Sequence, residues 1–206
     1  MTQPRRRTKT RGPATPTRGK LGAKALSVLM KPARLELYES LQVGGPASVA
    51  DLAQRLGRPA DSLYYHVKKL LAVGVIQELA DAGEGRSGPG RRGAVFSIVS
   101  RRLDAELDAD SPASRDAWSD GARSLLRLAQ RDFCEALDSG EARPKGVRRN
   151  VMLWRVKARL TPSKLKEVNQ HIDALHDLLF ERAEATQGEL HAVTCVMTPL
   201  EERSQR

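Results

Sequence analysis

Six side chains able to do chemistry stand within one short stretch: Ser62, Tyr64, Tyr65, His66, Lys68 and Lys69. Among them lie Leu63, Val67, Leu70 and Leu71, at spacings of four, three and one. On a helix these four share one apolar stripe, and the other faces carry the hydroxyls, rings and cations. Such a rod has the width and the donors to enter a DNA major groove. Tyr64 and His66, with Ser62, are the candidates for base-edge or sugar contacts, Tyr65 being the one expected to be half buried. Lys68 and Lys69 suit phosphates.

Other chemistries are harder to assemble. His171, Asp173, His176 and Asp177 sit on one late helical stretch. A spacing of five sets the two histidines about 140° apart, so they do not easily ligate one ion. No metal site and no cofactor is therefore expected. With four histidines in all, no Ser/His/Asp or Cys/His constellation can be built, and the chain is not expected to be an enzyme. Cys134 and Cys195 are too few and too far apart for a disulfide framework, and read as buried thiols.

The elements that must hold the polar stretch are legible on either side of it. Ser48 to Gly57 reads as a short helix, with Ser48 and Asp51 forming a capping box and Gly57 a left-handed cap. Joined through Gly57-Arg58-Pro59-Ala60 to the helix that follows, it makes a helix-turn-helix whose second helix reads. Lys31 to Val43, with Leu35, Tyr38 and Leu41 at helical spacing, braces that helix from behind. Leu26, Val28, Leu29 and Met30 form an earlier turn.

Pro32-Ala33-Arg34-Leu35, Ser48-Val49-Ala50-Asp51-Leu52-Ala53, Tyr65-His66-Val67-Lys68-Lys69-Leu70 and Gly74-Val75-Ile76 together resemble the ArsR-like winged helix-turn-helix repressors. The resemblance covers roughly residues 24–100. Lys31, Arg58 and Pro59 depart from it, standing where that family usually has a capping Asp, an aliphatic residue and a capping Ser.

A wing fits the next stretch. Val75 to Leu79 reads as a strand, Asp81 to Gly93 as a glycine-rich loop carrying Arg86, Arg91 and Arg92, and Ala94 to Val99 as a returning strand. Glycines let such a backbone lie close to a phosphate ridge, where the three arginines supply charge. No Gly-Lys-Ser/Thr follows the glycines, which argues against a nucleotide loop.

Charge agrees with that division. The 206-residue chain has a net charge of +10, and residues 1–24 hold eight cations and no acids. They read as a disordered basic tail. Residues 25–100 carry +2, and residues 101–206 balance eighteen cations with eighteen acids. The excess therefore lies on the arm and the winged helix, as expected of a polyanion binder. No apolar run reaches the roughly 18 residues of a membrane span, and no secretory signal stands out, so no membrane partner and a cytoplasmic, nucleoid-associated protein are expected.

The second half follows a polar linker at 101–114. A helix is expected over 114–137, with an apolar face from Trp118 to Leu137. Residues 152–160 alternate with period two, as a strand does, with a cationic face of Arg155, Lys157 and Arg159. Thr161-Pro162 opens another helix, and Leu190 to Met197 reads as a closing strand.

The expected fold is thus α+β, a winged helix-turn-helix domain (25–100) followed by a small C-terminal helix-strand-helix-strand module (115–200) for dimerisation or an effector. The resemblance implies a sequence-specific transcriptional regulator binding double-stranded DNA as a homodimer. Two alternatives compete with it: a nucleoid-organising protein of low sequence preference, and a winged helix used to bind protein.

Overall fold

The computed structural model describes residues 18–79, 93–181 and 188–201. The chain enters through a short strand, β1 (Arg18–Leu21), and a helix, α1 (Ala23–Leu29), that buries Leu26 and Leu29. Helix α2 (Pro32–Gly44) begins on a proline, whose fixed φ suits the first helical position. Lys31 before it has extended backbone and offers no side-chain cap. Leu35, Leu37, Tyr38 and Leu41 face inward, and the buried Tyr38 hydroxyl donates to the Ser100 carbonyl at 2.6 Å.

A two-residue strand, β2 (Ala47–Ser48), leads into α3 (Val49–Leu56) and α4 (Ala60–Ala72). The capping box of α3 forms as expected. The Asp51 amide donates to Ser48 Oγ at 3.2 Å, and the Ser48 amide to Asp51 Oδ2 at 3.0 Å. Gly57 ends the helix at φ +60°, in the left-handed region where a Cβ is unfavourable. Leu37, Leu41, Leu52, Leu63, Val67 and Leu70 pack where α2, α3 and α4 meet, joined by Val75, Ile76 and Phe96.

Strands β3 (Ile76–Leu79) and β4 (Val95–Ile98) pair antiparallel, with Ile76 opposite Ile98 and Leu79 opposite Val95. β2 joins on the far side of β4, giving the order β2-β4-β3. At two residues, β2 is too short to show a period in the sequence. The hairpin expected of a wing is thus present at its base. Its loop, with Arg86, Arg91 and Arg92, lies outside the described residues.

The next strand corrects two sequence expectations. β5 (Arg102–Ala105) pairs in parallel with β1, from Arg18 opposite Arg102 to Leu21 opposite Ala105. The basic tail therefore does not run unstructured to residue 24, and the segment 101–114 is not simply a linker. One apolar side chain explains both: Leu21 is buried in the core, and seating it brings its neighbours beside β5. The Lys20 ammonium meets Glu106 at 2.6 Å beside this pair.

Helix α5 (Pro112–Asp138) starts at Ser111, whose hydroxyl accepts from the Ser114 amide at 3.3 Å. It lies against α1 through a narrow face of Ser114, Ala117, Gly121 and Leu128. A Cβ on Gly121 would stand 3.3 Å from the Met30 side chain, so the small residue permits the close crossing. The apolar face expected to be packed is largely open: Trp118, Leu126 and Leu137 are exposed. Helix α6 (Pro162–Glu181) follows, with Thr161 Oγ1 accepting from the Lys164 amide at 3.3 Å.

Two further expectations fail in this half. Residues 151–161 and 188–201 form no strand, so the described C-terminal segment is not a helix-strand-helix-strand module. Alternation prepares a backbone for a sheet, but a strand also needs a neighbour for its N–H and C=O groups. Within the described residues of one chain neither segment has that neighbour. Cys134 and Cys195 are exposed rather than buried, one on the outer side of α5 and one in the unpaired 188–201 segment.

Candidate nucleic-acid interface

Helix α4 divides cleanly into two sides. Leu63, Val67 and Leu70 are turned wholly into the core, which fixes the helix about its axis. Asp61, Ser62, Tyr64, Tyr65, Lys68 and Lys69 then face solvent. Tyr64 is 52% and Tyr65 59% exposed, so two large rings stand out from the domain into solvent. Lys69 Nζ lies 5.4 Å from the Tyr65 ring centroid, one helical turn on, within cation–π range.

The individual side chains depart from expectation in instructive ways. Tyr65 is not half buried; it is the more exposed of the two tyrosines. His66 is the recessed one. Its ring meets the Tyr65 ring edge-on at 5.4 Å, and its Nδ1 is buried without a hydrogen-bond partner. Burial lowers its pKa, and the nearby Arg34 and Arg58 guanidiniums lower it further, which favours the neutral ring. The Ser62 hydroxyl donates to the Pro59 carbonyl at 2.7 Å and closes the first turn of α4, where the Pro59 cap position has no side-chain acceptor to offer.

Arg34 and Arg58 were not among the residues expected at this face. Arg34 comes from the first turn of α2 and carries a buried Nε without a partner. Burial lowers its pKa from the ordinary guanidinium value. Arg58, in the turn between α3 and α4, pairs with Glu36 on α2, and Arg131 on α5 pairs with the same carboxylate. The one sequence signal for this was Arg58 itself, a charge where the resembled family has an aliphatic residue. Beside the triad, Glu39 is pushed up to about 7, chiefly by burial and then by Asp132 and Glu36.

The two acids of the late acid–imidazole group meet a cation from the body of the protein. Asp173 and Asp177 approach the Arg102 guanidinium of β5 at 3.6 and 2.7 Å. Among the described residues no group of three or more His, Cys, Asp or Glu is placed to hold a metal ion. No described helix is long and apolar enough to cross a membrane.

Residues 29–78 match the family model described as a helix-turn-helix domain. That span runs from the end of α1 through α4 into β3. Residues 29–78 are a helix-turn-helix domain. In DNA-binding helix-turn-helix proteins the second helix is the one that lies in the major groove, and the second helix of the pair here is α4. No curated protein matches the chain. Among solved structures, the crystal structure of RV1404 from Mycobacterium tuberculosis aligns at 14% identity with a TM-score of 0.27, over 75% of this chain and 81% of that one. The helix-turn-helix domain, with the small sheets and further helices around it, makes the chain α+β.

Proposed function

We propose that the protein is a sequence-specific transcriptional regulator of the ArsR-like winged-helix kind, a repressor that binds duplex DNA as a homodimer in the cytoplasm. The observation that carries this is the outward face of α4, where Tyr64, Tyr65, Lys68 and Lys69 stand exposed on a helix pinned by Leu63, Val67 and Leu70. Two rings able to stack or hydrogen-bond at base edges, bordered by two ammonium groups at phosphate reach, match the division of labour in groove recognition. Ser62 and His66 flank that face, and Arg86, Arg91 and Arg92 would extend it from the wing. Neither catalysis nor a cofactor enters this reading.

Selection of bound sites from random duplexes tests it, and two variants then separate the roles. Tyr64→Ala combined with Tyr65→Ala should relax base preference at defined positions, at a cost of about 1–3 kcal/mol for each base edge no longer read. Lys68→Ala combined with Lys69→Ala should weaken all duplexes alike and flatten the log–log salt slope by about 0.9 for each phosphate no longer neutralised. A selection that returns no preferred site would sink the sequence-specific reading. Binding unchanged in both variants would remove α4 from the interface.

A further inference from the structure

The segment 151–200 shows an imbalance found nowhere else among the described residues. Fourteen large apolar side chains between Met152 and Leu200 are exposed, among them Trp154 at 68% and Leu190 at 79%. Helix α6 holds Leu165, Val168, Ile172, Leu175 and Leu179 on one stripe, yet none of them is fully buried. On either side of it run the two segments with strand character and no strand partner. Apolar exposure concentrated in one segment, as opposed to single scattered residues, marks an interaction site.

We infer that this segment is an arm whose two strand-patterned stretches and α6 form a sheet-and-helix layer only with the same arm of a second copy. Four considerations choose that occupant. A strand-helix-strand unit of about 50 residues has one helix to cover two strands, leaves two sheet edges open, and is too small to build a core alone. Two such arms together supply four strands and two helices. A two-fold axis also requires a surface that complements itself, and one carrying both unpaired strands and an uncovered helix stripe does so. Charge permits the meeting, because residues 101–206 hold eighteen cations and eighteen acids and two copies do not repel. A stable interface takes about 20–30 residues a side, and the fourteen exposed apolar residues would be the core of one that size.

The arm's polar anchors in its own chain, Arg102 with Asp173 and Asp177 and Arg143 with Glu189, are ion pairs with solvent access on the acidic side. They orient the arm without covering its apolar side. The open face of α5, with Trp118, Leu126 and Leu137, extends the same kind of surface back toward the body.

This inference rests on the two-copy reading above but is tested without DNA, so its failure and that of DNA recognition are distinguishable. The full-length protein is prepared in ¹⁴N and ¹⁵N forms, the two are exchanged until native mass spectra show the mixed dimer, and an amine crosslinker is applied. Peptides joining Lys157 to Lys164 or Lys166 should then carry one isotope at each end. Trp154→Lys should raise the dimer dissociation constant by about tenfold or more while leaving helix content by circular dichroism unchanged. A protein that stays monomeric at about 100 μM overturns the inference, and so does a dimer whose arm crosslinks are all single-isotope. A Trp154→Lys dimer as tight as the original does the same.

Discussion

At the scale of single residues, the helix-turn-helix turn is tied to α5 through one carboxylate. Glu36, on α2, receives Arg58 from the turn and Arg131 from α5, and its side chain is only 11% exposed. Glu39 sits close by, and its raised pKa has a definite consequence for stability. Between its ordinary value of 4.5 and about 7 the folded chain holds a proton that the unfolded chain has released. Stability therefore falls as pH rises through that window and levels off above it. Glu39→Gln should remove this slope and stabilise the protein above pH 7, read as the pH dependence of the urea midpoint. An equally steep slope in the variant would place the titrating group elsewhere. Beyond the unexpected charge at Arg58, none of this was legible in the sequence, because Glu36 and Arg131 are far from it along the chain and only packing joins them. The recessed place of His66 and the outward one of Tyr65, by contrast, follow from the buried stripe of α4, since at about 100° per residue His66 falls beside Leu70 and Tyr65 on the far side.

At the scale of elements, local chemistry was a good guide wherever the period and the caps agreed. The Ser48–Asp51 box and Gly57 marked both ends of α3, and Leu63, Val67 and Leu70 oriented α4. Ser48→Ala removes one half of the box and should lower stability by about 1 kcal/mol. In a domain of this size that shift corresponds to a fall in Tm of roughly 4–8 °C by calorimetry. An unchanged Tm would show that β2, rather than the box, holds the start of α3. Elements made by partners were not legible. β2 has two residues, β1 and β5 exist through one parallel ladder, and α5 buries Ser114, Ala117 and Gly121 with Leu128 while Trp118, Leu126 and Leu137 stay exposed. Gly121 explains that last choice, since close approach to Met30 favours the narrow face.

For the whole molecule, the charge map divides the labour between parts. Arg5, Arg6, Arg7, Lys9 and Arg11 precede the described residues, whereas Lys20 already belongs to β1. A deletion that tests the tail should therefore stop at residue 17, leaving the β1–β5 pair intact. Such a chain should keep its preferred site and lose nonspecific affinity, its log–log salt slope falling by about 0.9 for each tail cation that had met a phosphate. Loss of most binding together with site preference would favour the nucleoid-organising alternative. Composition, period and capping residues were enough to set the helix-turn-helix and the outward polarity of α4, because those depend on neighbours within a few positions along the chain. The parallel strand pair, the face that α5 buries, the Arg58–Glu36–Arg131 triad and the unpaired C-terminal segments depend on which distant surfaces meet. That is a matter of shape and of available partners, and a sequence pattern states the need for a partner without naming it.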